Sequence, residues 1–186
     1  MIATELELRK ASIRDIDNVL RLINEYAAQG IMLPRTEFEM SENIRDFSVA
    51  YDGTVLLGCG ALHFYTPTTA EVRSLAVRPD HRRIGVGRLL VEALEGEARD
   101  NELESIFAFT YSPEFFAKLG FATVERGELP LKAWKDCLRC PKFNHCDEIA
   151  VVKRLKPSSL PRNVSSDTHF TSTDLIALPI PFRANN

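Results

Sequence analysis

From Glu5 to Lys10 apolar and polar residues alternate, with Leu6 and Leu8 on one face, which predicts a first strand. Ser12 with Asp15 three residues on forms a capping-box pattern, Asp replacing the more usual Glu. Behind it Ile13, Ile16, Leu20, Ile23 and Ala27 recur at helical spacing until Gly30. Pro34 opposes helix at Leu33, and Thr36 with Glu39 caps a short helix running to Asp46. Two strands, Phe47 to Tyr51 and Val55 to Tyr65, flank an Asp52-Gly53 turn, and a third runs from Ala70 to Val77. A helix is predicted from Gly85 to about Asn101, with Leu89, Leu90, Ala93, Leu94 and Ala98 facing inward. Ser105 to Thr110 is a short apolar strand suited to a sheet interior, and Pro113 to Leu119 is a helix stopped by Gly120. Strands at Phe121 to Glu125 and Ile149 to Leu155 close the pattern.

The order β-α-α-β-β-β-α-β-α-β-β predicts an α/β (α+β) domain over residues 1–156, a mixed sheet with helices on both faces. From Pro157 the composition turns to Pro, Ser, Thr and Asn, which reads as a poorly ordered tail over 157–186 or an arm packing on a partner. With 45% hydrophobic and 26% charged residues the chain is ordinary for a globular protein. Its net charge of -3 argues against nucleic-acid binding, since no broad basic face is available to displace counterions. No apolar run approaches the roughly 20 residues that cross a bilayer. The N-terminus lacks a signal-peptide pattern, so a cytoplasmic location with reduced cysteines is expected.

Against this acidic background the junction VRPDHRRIGVGRLL gathers positive charge and glycine between a strand and a helix. A helix N-terminus offers unpaired N–H groups and a favourable dipole, and glycines let the backbone approach closely. Such a cradle suits a pyrophosphate. Neither a P-loop nor a dinucleotide fingerprint fits the spacing, and solvated arginines beside an ordinary glycine turn remain the bland alternative.

Arg82-Arg83-Ile84-Gly85-Val86-Gly87 matches R/Q-x-x-G-x-G/A, and here the chain resembles the GNAT superfamily of N-acetyltransferases. The strand Glu71 to Val77 and the later Phe115-Phe116-Ala117-Lys118-Leu119-Gly120-Phe121 resemble the neighbouring elements of that family. The resemblance covers about residues 5 to 156 and implies the GNAT fold, a mixed, mostly antiparallel sheet with helices on both faces. It implies acetyl-CoA as cosubstrate, with the backbone of Leu75, Ala76 and Val77 pairing with the pantetheine arm like an added strand. N–H groups from Arg83 to Arg88, hence of Ile84, Gly85, Val86 and Gly87, would hold the pyrophosphate, with Arg82 and Arg83 adding charge-assisted contacts.

Acyl transfer from a thioester requires a neutral amine, so an ammonium must lose its proton to a base. Family resemblance gives that role to Glu71; a strand-start carboxylate paired with Arg73 is the alternative. Strand alternation puts Glu71, Arg73, Leu75 and Val77 on one face unless a bulge intervenes. The family's usual thiolate acid is a tyrosine, and Phe116 stands at its place. Tyr111, beside Thr110 and Ser112, is the substitute, although a core tyrosine is the commoner finding, and Phe115 and Phe116 read as core residues packing near the cofactor.

The segments IMLPRT and GCGAL resemble the acetyltransferase domain of N-acetylglutamate synthases. By that match Arg35 clamps a carboxylate of the acceptor, and backbone near Met32, Leu33, Cys59 and Gly60 binds the rest. The implied activity is amino-acid N-acetylation, glutamate first, as in the opening step of arginine biosynthesis. A basic R-x-S element of those synthases is replaced by CLRCPKFNHCDE, leaving Arg73, Lys142 or Arg126 as candidates for a second carboxylate contact. Within that segment Cys137, Cys140, His145 and Cys146 could in principle close on zinc, yet adjacent His145 and Cys146 have awkward geometry, and no metal is the favoured reading. Two other readings stay open: acetylation of another small amine or a protein N-terminus, and a non-catalytic CoA-binding module. GNAT domains are often dimers, so a homodimer is the family-level expectation.

Overall fold

The computed structural model describes residues 6–82, 84–129, 140–142 and 145–156. The expected tail at 157–186 lies outside these residues, as do Arg83 and Cys137.

The elements follow the predicted order. β1 (Leu6–Lys10) leads through a short 3-10 turn into α1 (Ile16–Ala27) and α2 (Glu37–Asn43). Three antiparallel strands follow, β2 (Phe47–Asp52), β3 (Val55–Thr66) and β4 (Thr69–Val77). Then come α3 (Val86–Asp100), β5 (Ser105–Thr110), α4 (Pro113–Ala117), β6 (Ala122–Thr123) and β7 (Ile149–Arg154). The seven strands form one sheet in the order β1-β2-β3-β4-β5-β7-β6. β4 and β5 are parallel and all other neighbours antiparallel, so the sheet is mixed, as expected.

Both capping boxes form. The backbone N–H of Ser12 donates to Asp15 at 2.7 Å, and Thr36 exchanges bonds with Glu39 at 2.8 and 3.2 Å. Asp15 is also gripped by both guanidinium nitrogens of Arg9, at 2.8 and 2.9 Å, which ties β1 to the start of α1. This bidentate partner holds the Asp15 carboxyl well below the usual carboxylate range.

One face of the sheet is covered by α1 and α2, through a core of Ile16, Val19, Ile23, Met40, Phe47 and Val49. The other face carries α3 and α4, with Val91, Leu94, Phe116 and Phe121 packing on Leu62, Val72, Ile106 and Val151. Gly58 and Gly60 lie under α3. A methyl at Gly58 would meet the carbonyl oxygen of Ala76 at 2.8 Å, so only glycine fits there without movement. Cys59, between them, points the other way into the α1 core.

Some sequence expectations need correction. Ile13 is 77% exposed, because the first turn is 3-10 and α1 begins only at Ile16. Leu89 stands at 36% exposure, off the buried stripe of Val86, Leu90, Leu94 and Ala98. The strand expected over Phe121 to Glu125 shrinks to Ala122–Thr123, since β7 takes the place beside β5 and leaves β6 as a short outer edge.

Candidate active site

Two local distortions build the site. The first is in β4. Cys59 pairs with Ala76 and Ala61 with Arg73, so Ser74 and Leu75 together oppose Gly60. Ser74 holds the left-handed region at φ 52°, a strained state for a non-glycine residue. This bulge overturns the alternation expected from the sequence. Glu71 and Arg73 face the α1–α2 side, whereas Leu75 and Val77 are turned to the α3 side, where they pack near Val86 and Leu90. The backbone bend also brings the Ser74 carbonyl to the Cys59 thiol, 3.7 Å away. Full burial pushes that thiol up to about 12, which leaves Cys59 a packing residue without nucleophilic character.

The second distortion is a wedge. β4 and β5 pair over only three residue pairs, Thr69↔Ser105 to Glu71↔Phe107. Beyond them β4 runs on to Val77 and β5 to Thr110 without further pairing between the two. Glu71 therefore sits at the apex, 8% exposed, accepting a hydrogen bond from Tyr65 Oη at 2.9 Å. At the open end the chain leaves Val77 for the arginine-glycine loop. Gly85 is the N-cap of α3 at φ 96°, a left-handed conformation that glycine adopts without penalty, and it lets the loop turn into the helix. Gly87 follows in the first turn, with the Phe115 ring and Val77 each 3.5 Å from where a methyl would stand.

Of the residues expected at the cofactor, Leu75, Ala76 and Val77 line the wedge, and Ile84, Gly85, Val86, Gly87 and Arg88 form the turn and helix start. Val86 itself is core. The guanidinium of Arg82 lies over the ring of Tyr26 and donates to its hydroxyl at 2.7 Å, while that hydroxyl donates to the Val77 carbonyl. Tyr26 thus joins α1 to the end of β4 and to the loop that follows it, a role the sequence did not suggest. Arg88 pairs with Glu92 one turn along α3, at 2.7 Å. Phe116 is 4% exposed in the α4 core against Phe121, and its neighbour Phe115 is the ring that reaches the crevice at Gly87.

Of the residues expected at an acceptor, Arg35 sits in the loop before α2, which one asparagine fixes: Asn24 accepts from the Arg35 N–H at 2.9 Å and donates to the Arg35 carbonyl at 3.0 Å. Met32 packs on the α1 core and Leu33 is half-buried beside it. Arg73 reaches Asn43 at 3.2 Å and Asp46 at 3.7 Å. Tyr111, just past β5, accepts from Lys142 at 3.1 Å, and burial raises its hydroxyl above the ordinary tyrosine range. Arg126 turns away to Cys146 and to the Glu148 carbonyl, over the ring of Phe109. Among the described residues no group of three or more His, Cys, Asp or Glu side chains could hold a metal ion; Cys140, His145 and Cys146 form no such group.

Residues 14–121 match the model of the Acetyltransferase (GNAT) family. The chain belongs to the GNAT acetyltransferase family. An uncharacterized N-acetyltransferase of Chlorobaculum tepidum is 43% identical over 156 residues, 83% of this chain and 100% of its own length. An amino-acid acetyltransferase of Mycobacterium tuberculosis is 33% identical over 63% of this chain and 69% of its own. In structure, this GNAT domain resembles N-acetylglutamate synthase from Neisseria gonorrhoeae, complexed with coenzyme A and N-acetyl-glutamate. The TM-score is 0.75 at 30% identity, over 82% of this chain and 36% of that one. A Mycobacterium tuberculosis protein in complex with CoA matches at TM-score 0.69 and 26% identity, covering 81% of this chain and 99% of that one. Among the described residues no helix is long and apolar enough to cross a membrane.

Proposed function

We propose that the protein is an acetyl-CoA-dependent amino-acid N-acetyltransferase with L-glutamate as its preferred acceptor. The observation that carries this reading is the wedge between β4 and β5, with a buried carboxylate at its apex and a glycine-bearing helix start at its mouth. The wedge fits a thin extended arm, since unpaired strand edges accept an added strand. The helix start fits a diphosphate, through unpaired N–H groups and the positive end of the dipole. Acetyl-CoA has both parts. The structures it resembles hold coenzyme A, one of them with N-acetyl-glutamate, which supports the same assignment.

In this reading Glu71 takes a proton from the acceptor ammonium, directly or through water, and the neutral amine attacks the thioester carbonyl. The C–N bond forms, the C–S bond breaks, and the departing thiolate takes a proton. Tyr111 supplies that proton from a hydroxyl that is protonated near neutral pH, and the second proton, shed by the acceptor nitrogen as the amide forms, returns through water to the tyrosinate. Arg35 binds an acceptor carboxylate, with Met32, Leu33, Cys59 and Gly60 contributing backbone, and Arg73 stands on the Glu71 side of β4 for a second contact.

An acceptor panel with acetyl-CoA, read as free thiol, tests this. Glutamate should exceed glycine and other amino acids, Arg35→Ala should raise the glutamate KM by at least tenfold, and Glu71→Gln should lower kcat by about 100-fold. Glutamate no better than glycine refutes the substrate. Thiol release absent with every amine refutes catalysis.

A further inference from the structure

Three side chains outside the sequence motifs, His63, Tyr65 and Asp46, converge behind Glu71. His63 lies directly across from Glu71 in the β3–β4 register, and Tyr65 follows two residues along the same face of β3. The Nδ1 atom of His63 is 2.6 Å from Asp46 Oδ2, in the 3-10 turn that ends α2. The His63 ring meets Tyr65 edge to face, centroids 5.0 Å apart at 85°. Tyr65 in turn rests on Phe107 at 5.7 Å and donates its hydroxyl proton to Glu71 at 2.9 Å. Arg73 anchors the far end through Asp46 and Asn43.

We propose that Tyr65 and His63, braced by Asp46, are positioning residues that aim the Glu71 carboxylate into the apex of the wedge and favour its ionised form. This rests on the reading of Glu71 as the base. The logic is geometric and electrostatic. A donor aimed at a carboxylate stabilises the charged form, and a base must be ionised before it can accept a proton. Tyr65 supplies the donor. Its ring is pinned on one side by Phe107 and on another by the His63 edge, so the hydroxyl has little freedom. Asp46 fixes the imidazole by accepting from Nδ1, which sets the ring's tautomer and tilt. Among the described residues, the charged and titratable groups that the contacts above bring to this face are His63 and Tyr65 from β3, Asp46 from the turn and Arg73 from β4, with Arg126 farther along over Phe109. From β5, the residue opposite Glu71 is apolar Phe107.

Tyr65→Phe keeps the ring and removes only the hydroxyl. The acid limb of kcat/KM, measured on the full chain with acetyl-CoA and the fastest amine of the panel, should move upward by about one pH unit. His63→Ala should move it the same way and lower kcat by about tenfold with little change in the acetyl-CoA KM. An acceptor-free measurement runs beside these: the Glu71 carboxyl ¹³C resonance, assigned by its loss in Glu71→Gln, should titrate about one unit higher in Tyr65→Phe. An unshifted limb and an unshifted resonance in Tyr65→Phe overturn the proposal. Full activity in Glu71→Gln overturns the base reading instead, and an upward shift of the resonance would then still establish the contact while removing its catalytic purpose.

Discussion

Glycine to alanine should have opposite signs at two positions in contact with, or within, the same helix. At Gly58 the new methyl meets the Ala76 carbonyl oxygen at 2.8 Å, Leu90 at 3.1 Å and Val86 at 3.2 Å. The nearest atom is backbone in the neighbouring strand, so relief requires β3 and β4 to shift or α3 to lift. Overpacking of this kind costs about 1–3 kcal/mol. Gly96, inside α3, has nothing within 4 Å of its added methyl and takes no left-handed conformation. There alanine should stabilise by about 0.5–1 kcal/mol, through helix propensity and a less flexible unfolded chain. For a chain of this size each kcal/mol moves Tm by roughly 2–4 °C. Gly58→Ala should therefore melt about 6 °C below the wild type and Gly96→Ala about 2 °C above it. Differential scanning fluorimetry with matched urea titrations reads both. The reasoning fails if the two variants melt within a degree of each other, or if Gly96→Ala is the less stable.

Asp15→Asn should lower stability by about 1–3 kcal/mol at neutral pH, since a buried carboxylate loses its bidentate arginine and its cap bonds. Because the folded-state carboxyl is held below its unfolded value, its contribution is full above about pH 4 and fades as the pH falls further. Urea midpoints of wild type should thus decline between pH 5 and 2 more steeply than those of the variant. Tyr26→Phe should weaken coenzyme A binding several-fold in calorimetry, as it releases both Arg82 and the Val77 carbonyl, and should cost about 1 kcal/mol of stability. Cys59, fully buried with its thiol pushed up to about 12, should escape iodoacetamide at pH 8 in the native protein and react only on unfolding, as peptide mass spectrometry would show.

Elements whose signals are local were legible in the sequence. Ser12–Asp15 and Thr36–Glu39 cap where their spacing says, because a capping box is decided within four residues. The loop from Arg82 to Gly87 announced its turn through glycines alone, and Gly85 does adopt the left-handed cap. Features decided by distant neighbours were not legible. The strained Ser74 has no glycine or asparagine to mark it; the bulge answers the need to seat Leu75 over Gly60. The place of β7 between β5 and β6 depends on pairing across sequence that carries no register signal. Asp46, Glu71 and the pair His63 and Tyr65 come from three separate elements, and a histidine or tyrosine in an amphipathic strand gives no sign of what it faces. Arg82 meets Tyr26 across the domain and Arg88 meets Glu92 on its own helix, and only the second of these partners, one turn away, could be read from spacing.

The unfinished seam between β4 and β5 has a consequence for the protein's endurance. A sheet left unzipped along half of one strand has backbone donors and acceptors to offer, and on the function proposed above the coenzyme arm satisfies them and completes the architecture. A ligand present at a hundred times its dissociation constant adds about 2.7 kcal/mol to the folded state, a large share of what holds a domain together. The lifetime of this enzyme in a cell should accordingly rise and fall with the supply of its coenzyme, with scarcity exposing it first to unfolding and then to proteolysis.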